Sequence, residues 1–163
     1  MKDRNATIEE ARYLKSIYKT EDAIELLSGL ISPGQIDEEV QNELADCYIQ
    51  AGDLDAAAST YSTLLMMKPE SILYRIKLML TTYRSKDYKS SSELGLSIIK
   101  RDTIPAIVSL TADSFNMMAM PDSALIYYNM YIGMNPANPS VVSKAAKIHL
   151  EREEYVKVLL LII

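Results

Sequence analysis

Tryptophan is absent from this sequence of 163 residues, and cysteine, phenylalanine and histidine each occur once. The single cysteine, Cys47, excludes an internal disulfide. Glycine is scarce, with five residues, and no Gly-rich phosphate-binding loop is present. A His-Glu-x-x-His motif, paired cysteines and a nucleophile elbow are also missing. We therefore predict no catalytic residues, no metal site and no cofactor, and we expect that the protein is not an enzyme.

An excess of positive charge is missing too, since the formal net charge is −5. Nucleic-acid binders usually carry a basic surface, so a nucleic-acid partner is not expected. The start of the chain, from Met1 to Arg4, leads into polar residues rather than the apolar stretch of a secretory signal. The apolar run from Val158 to Ile163 has six residues, whereas a membrane span needs about 20. We expect a soluble segment without direct membrane insertion, whose compartment is not predicted.

What the sequence does contain is an internal repeat. One series of small or apolar residues recurs at intervals of 34, 34, 33 and 34, at Ala11, Ala45, Met79, Ala112 and Ala146. A second series runs in step, twelve residues downstream, at Ala23, Ala57, Ser91, Ala124 and Val158. A period of this length is typical of a solenoid, in which each unit buries its apolar face against its neighbours.

Each period contains two helical patterns. In the second copy, Asp37 is a good N-cap, and Gly52 can take the left-handed conformation that ends a helix. In the first copy, the spacing from Thr7 to Glu10 is that of a capping box and predicts a helix start. In later copies, Pro121 and Asn138 are predicted to begin helices. These signals predict helices of about 12–15 residues joined by short polar turns.

Because helix formers dominate, we predict an all-α fold of about nine or ten helices in antiparallel pairs. No linker or second zone of composition interrupts the chain. We therefore predict a single domain over residues 1–163. Its repeats are expected at approximately 4–37, 38–71, 72–104 and 105–138, with a truncated fifth at 139–163.

Residues 38–71 resemble the tetratricopeptide repeat (TPR) family. The residues on the family's characteristic positions are Leu44, Ala45, Tyr48, Gly52, Ala57, Tyr61, Leu64 and Pro69. Residues 105–138 match through Ala112, Phe115, Ala124, Tyr128, Tyr131 and Pro136. The third copy departs from the pattern at Ser91, Gly95 and Thr103, and the first departs at Glu10 and Leu14. The resemblance implies a right-handed superhelix, an α-solenoid, whose concave face is lined by the first helix of each repeat.

The resemblance also implies a non-enzymatic scaffold that binds a peptide or a helix of a partner protein in its concave groove. The candidate groove residues are Asn42, Asp46, Leu73, Ile76, Lys77, Leu80, Tyr83, Arg84, Asp113 and Asn116. The resemblance places Arg12, Lys15, Glu43 and Lys144 in the groove as well. Because two groove positions are acidic, Asp46 and Asp113, the carboxylate clamp of some family members is disfavoured.

The third copy has the most apolar groove. One interpretation is a binding site for an apolar side chain of a peptide, with Lys77 and Arg84 reaching a carboxylate. The other is that these side chains pack against neighbouring helices. A different function remains an alternative, namely a self-assembling or signal-sensing segment of a larger multidomain protein. A homo-oligomer could form through the apolar C-terminal helix, which lacks the polar face of a capping helix.

Three smaller features have structural interpretations. His149 is predicted to be a core histidine rather than a catalytic base. The acidic cluster of Glu39, Glu43 and Asp46 is predicted to be a solvated face rather than a metal site. The methionines are predicted to fill gaps in the core, at Met66, Met67, Met117, Met118 and Met120.

Overall fold

The computed structural model describes residues 3–32, 34–154, 157–158 and 160, and nine helices span this part of the chain. They are α1 (Arg4–Ser16), α2 (Thr20–Ser28), α3 (Glu38–Ala51), α4 (Leu54–Met67), α5 (Ile72–Arg84), α6 (Tyr88–Ile99), α7 (Pro105–Met117), α8 (Pro121–Met134) and α9 (Pro139–Glu151). The described residues contain no strand, in agreement with the predicted all-α class. None of the described helices is long and apolar enough to cross a membrane.

The chain divides into two compact units, Met1–Ser85 and Lys86–Ile163. In the first unit, each of the helices α1 to α4 packs against the next helix along the chain. The same order holds in the second unit from α6 to α9. Short connections between packed neighbours produce antiparallel pairs. The single domain over residues 1–163 stays a prediction, and the apolar C-terminal run lies mostly outside the described residues.

The predicted capping residues set the ends of several helices. The Asp37 side chain accepts hydrogen bonds from the backbone N–H groups of Glu39 and Val40, at 3.1 and 3.2 Å. Gly52 ends α3 with a φ of 84°, in the left-handed region that glycine enters without strain. Pro121 begins α8, and the Asn138 side chain caps α9. These predictions are confirmed.

The start of α1 differs from the prediction. The helix begins at Arg4, and its N-cap is Asp3, whose side chain accepts from the Asn5 N–H. Thr7, predicted to begin the helix, lies in its first turn and donates its hydroxyl to the Asp3 carbonyl at 3.1 Å. Aspartate is as strong an N-cap as threonine or better. The upstream cap therefore extends the helix by about one turn.

Small side chains recur in the core at the predicted positions. Those fully buried in the two units are Ala11, Ala23, Ala45, Ala57, Ser91, Ala112 and Ala124. In α9, however, Ala145 is fully buried and Ala146 only partly so. The largest fully buried side chains are Tyr61 and Tyr128, which occupy the same position two repeats apart. The helices therefore pack closely at the small residues, and one large tyrosine side chain fills the core of each of these two repeats.

The two glycines Gly52 and Gly133 allow a matched test of the helix ends. Gly52→Ala is expected to lower the free energy of unfolding by about 1 kcal/mol, because alanine is strained at positive φ. Gly133 lies within α8, where an added Cβ meets nothing within 4 Å. Gly133→Ala is therefore expected to raise the same free energy by about 0.5 kcal/mol. Urea unfolding measures both changes. A shift in the same direction for both variants would contradict the left-handed conformation of Gly52 at the end of α3 and the helical one of Gly133 within α8.

Candidate functional site

The predicted groove residues lie on three helices, each of which is the first of its repeat. Asn42 and Asp46 lie on α3, whereas Asp113 lies on α7 and Asn116 is exposed near the end of that helix. The other six, Leu73, Ile76, Lys77, Leu80, Tyr83 and Arg84, lie on α5. Helices α3 and α5 belong to the first unit and α7 to the second. The candidate residues therefore form two groups, one in each unit.

In the first unit, Lys77 connects α5 to α3. Its Nζ donates to Asn42 Oδ1 at 2.9 Å and to Asp46 Oδ1 at 3.2 Å. The hydroxyl of Tyr61, from α4, donates to the same Asp46 carboxylate. The Lys77 ammonium also lies 5.3 Å from the ring centroid of Tyr61. Burial and the hydrogen bond to Asp46 raise the pKa of the Tyr61 hydroxyl, which stays protonated as a donor.

The same arrangement recurs in the second unit. Lys144 Nζ, from α9, lies 2.8 Å from each carboxylate oxygen of Asp113. The Tyr128 hydroxyl, from α8, donates to Asp113 Oδ1 at 2.6 Å. Each member stands two repeats after its counterpart in the first unit, at the same interval for all three. We name these clusters the Asp–Tyr–Lys triads, Asp46–Tyr61–Lys77 and Asp113–Tyr128–Lys144, and in each one a carboxylate joins three helices.

Between α1 and α3 the charges are reversed. Arg12 and Glu43 stand one repeat before Asp46 and Lys77, and the Arg12 Nε donates to Glu43 Oε1 at 2.8 Å. Lys15 Nζ donates to the other oxygen of Glu43 at 2.7 Å. Burial opposes the ionisation of Glu43, yet the hydrogen bonds from Lys15 and Arg12 hold its pKa below the ordinary value. Glu43 is only 8% exposed, so the predicted solvated face is wrong at this residue.

These contacts give the predicted groove charges a structural role. Three charged pairs join the first helices of successive repeats, namely Arg12–Glu43, Asp46–Lys77 and Asp113–Lys144. The separation of the two partners along the chain is the same in all three pairs. Removing one partner of a partly buried pair leaves the other unsatisfied, which costs more than an exposed pair contributes. A ligand that drew Lys77 away would leave the Asp46 carboxylate without its cation. The constant separation was the sequence signal that could have predicted this pairing.

The exposed side chains of α5 are two leucines and an arginine. Leu73 is 59% exposed and Leu80 is 45% exposed, whereas Ile76 and Tyr83 are half-buried. Arg84 is exposed and forms no hydrogen bond or ion pair within the described part of the chain. Intervals of seven and four positions put Leu73, Leu80 and Arg84 along one side of the helix. Leu73 also borders a cleft of about 480 Å³ that Asn42 and Lys77 line.

The methionines predicted to fill gaps in the core lie mostly at the surface. Met66 is 81% exposed, and the exposed set also includes Met67, Met117 and Met120. Met118 is half-buried. The exposed methionines all follow the last buried residues of α4 and α7. The helical spacing predicted that these methionines continue the buried side of each helix, but in the structure that side ends before them.

Three further titratable residues, His149, Glu154 and Cys47, have contacts that indicate a structural role. His149 is buried, and its Nδ1 lies 2.7 Å from Glu154 Oε2, as expected for a core histidine with a partner. Hydrogen bonds from Lys157 and His149 lower the pKa of Glu154 to about 2. Cys47 is buried, and burial raises the pKa of its thiol, which disfavours a reactive thiolate. The described residues contain no cluster of His, Cys, Asp and Glu suited to a metal ion.

Comparison with known proteins supports the repeat assignment. The tetratricopeptide repeat family model matches residues 18–79. A comparison with curated proteins gives no match. Similar solved structures include MamA AMB-1, at 14% identity and a TM-score of 0.81, with 96% of this chain and 86% of that chain covered. Another is MamA 41-end from Desulfovibrio magneticus RS-1, at 9% identity and a TM-score of 0.80, with 97% and 90% covered.

The family model supports the predicted tetratricopeptide repeat family over residues 18–79, and the solved structures confirm the predicted fold class. At such low identities the similarity to the solved structures concerns the fold alone. The chain is therefore a helical repeat protein, and its residues 18–79 match a family whose repeats in general serve as protein-interaction scaffolds.

Proposed function

We propose that this scaffold binds a partner peptide or helix on the α5 face, defined as Leu73, Ile76, Leu80 and Arg84. The observation that carries the proposal is the exposure of two leucines on the first helix of a repeat. Leu80 stands at the position that Asp46 and Asp113 occupy in the neighbouring repeats. At those two positions the side chain joins helices through a triad. In the third repeat an exposed apolar side chain takes that place.

The chemistry of the α5 face indicates which peptides fit. Complete burial of a leucine side chain contributes about 1.5–3 kcal/mol, so a partner that covers Leu73 and Leu80 gains a favourable hydrophobic contribution. Arg84 has no carboxylate partner among the described residues and can form a charge-assisted hydrogen bond with one. Lys77 is less available, because Asp46 and Asn42 already accept from it. The expected ligand has apolar side chains followed by an acidic residue.

Selection from a phage-displayed library of random 12-residue peptides tests this proposal. Peptides enriched on the immobilised protein are expected to combine Leu, Ile or Phe with Asp or Glu. Leu80→Glu should weaken binding of an enriched peptide more than tenfold in a fluorescence-anisotropy titration, because it removes apolar contact and repels the acidic residue. Arg84→Glu should act in the same direction.

Met66→Glu is the matched control, since it places the same charge on an exposed apolar position of α4. It is expected to leave the affinity within about twofold of the original value. Far-UV circular dichroism should be the same for all three variants. Failure to enrich any peptide, or equal affinity for Leu80→Glu and the original protein, would contradict binding at the α5 face.

A further inference from the structure

A cleft of about 680 Å³ lies on α1 and α2, away from the α5 face. Its lining, which defines the α1–α2 cleft, consists of Thr7, Glu10, Leu14, Asp22, Glu25, Leu26, Gly29 and Leu30. We propose that this cleft binds a basic amphipathic helix of a partner protein. The proposal concerns a second interaction surface and does not depend on the function of the α5 face.

The repeat register indicates that the occupant is a helix. Glu10 and Leu14 stand one repeat before Leu44 and Tyr48. In the second repeat, Leu44 and Tyr48 pack in one cluster with Leu27 of α2. This side of α3 is therefore covered by the helix that precedes it. Leu14 also packs against this cluster, but Leu14 and the exposed Glu10 still line the open cleft. A helix docked there would repeat the contact that α2 makes with α3.

The floor of the cleft indicates an apolar side on that helix. Leu14, Leu26 and Leu30 are half-buried and lie on α1, on α2 and just beyond the end of α2. Leucines spaced three and four residues apart on an incoming helix can cover all of them. The burial would remove apolar area from water, which is the main favourable contribution to helix docking in a groove.

The rim of the cleft indicates positive charge beside those leucines. Glu10, Asp22 and Glu25 are exposed, and Asp22 and Glu25 have no ion-pair partner in the residues that the structure describes. Helix α2 contains three acidic residues and no basic one. Glu10 replaces the apolar residue found at the same position of α3, and a purely apolar occupant would remove water from the exposed carboxylates of Asp22 and Glu25 without compensation. Lysine or arginine beside the apolar side would provide that compensation.

The test uses a designed 18-residue helical peptide of Leu, Ala and Lys, with the leucines on one side and lysines on both flanks. A second peptide carries Glu in place of every Lys. Isothermal titration calorimetry is expected to detect binding of the lysine peptide and none of the glutamate peptide. Asp22→Asn/Glu25→Gln should weaken binding about threefold to tenfold. Leu26→Ser should weaken it at least tenfold.

Two control variants distinguish the cleft from other surfaces. Asp55→Asn/Glu93→Gln removes the same charges from exposed positions of α4 and α6, and Leu80→Ser matches Leu26→Ser on the α5 face. Both controls are expected to retain the original affinity within about twofold. Equal weakening by the two charge variants would overturn the proposal in favour of non-specific attraction.

Two further results would also overturn it. Loss of binding in Leu80→Ser but not in Leu26→Ser would locate the peptide on the α5 face. Self-association of the protein that disappears in Asp22→Asn/Glu25→Gln, measured by sedimentation equilibrium, would identify a second copy of this chain as the occupant. A protein that forms no such dimer and shows the expected peptide affinities supports a separate partner.

Discussion

Lys77→Glu is expected to lower the free energy of unfolding by about 2 kcal/mol, because it breaks a partly buried ion pair. The substitution removes the cation that accompanies Asp46 and places a second carboxylate beside it, while Asp46 still accepts from Tyr61. Breaking a fully buried pair costs about 3–5 kcal/mol, but both side chains retain part of their solvent exposure, so a smaller value applies here. Urea unfolding followed by circular dichroism measures the change.

The reversed pair between α1 and α3 supplies a rescue experiment. Arg12 and Glu43 occupy the positions of Asp46 and Lys77 one repeat earlier, and Leu27 stands where Tyr61 does. Asp46→Arg/Tyr61→Leu/Lys77→Glu therefore reproduces the Arg–Glu pair and the leucine of the α1–α3 junction, while Ile49 stands where that junction has Lys15. The triple variant is expected to recover at least half of the loss caused by Lys77→Glu.

An exposed lysine gives the control for this experiment. Lys100→Glu changes the same charge at a position that forms no ion pair within the described residues, and it is expected to act within about 0.5 kcal/mol. If Lys77→Glu were no more destabilising than Lys100→Glu, the triad would not contribute to the connection between repeats. A triple variant less stable than the single one would likewise contradict the equivalence of the two junctions.

Tyr128→Ala is expected to have the largest effect on stability, a loss of about 3–5 kcal/mol. Its side chain is fully buried in the second unit, so truncation leaves a cavity and removes the donor to Asp113. Tyr128→Phe separates the two contributions, because it keeps the ring and removes the hydroxyl. The expected loss for Tyr128→Phe is about 1.5–3 kcal/mol, the contribution of a hydrogen bond to a charged acceptor.

The neighbouring residue Ile126 is the control for Tyr128. It lies on the same helix and is 63% exposed, so Ile126→Ala should change the free energy of unfolding by no more than about 0.5 kcal/mol. All three variants can be compared in one series of urea titrations. Similar values for Tyr128→Ala and Ile126→Ala would contradict the burial of Tyr128, and a neutral Tyr128→Phe would contradict the role of its hydroxyl.

The sequence predicted the helices better than it predicted the contacts between repeats. Asp37 and Gly52 act within a few residues of the helix ends that they set, so local signals were sufficient for α3. At α1 two caps competed, Asp3 and Thr7, and the upstream one begins the helix. The capping-box spacing favoured Thr7, whereas the intrinsic N-cap preference favours aspartate, and the structure follows the latter.

The candidate site required information from adjacent repeats. The family resemblance placed Asp46 and Lys77 in the groove, but their pairing depends on the packing of helices from two successive repeats. Considered within its own helix, Glu43 looks like part of an acidic surface, although two cations from α1 surround its carboxylate. The exposure of Leu80 likewise depends on neighbouring helices and not on its own periodicity. Such contacts follow from tertiary packing.

The central claim is that the paired charges connect the repeats while the exposed leucines of α5 bind the partner. A fluorescence-anisotropy titration of one enriched peptide against Leu80→Glu and Lys77→Gln tests it most directly. We predict that Leu80→Glu loses affinity more than tenfold and keeps its stability, whereas Lys77→Gln loses stability and binds within about twofold of the original protein. The opposite result, with binding lost in Lys77→Gln and kept in Leu80→Glu, would contradict the claim.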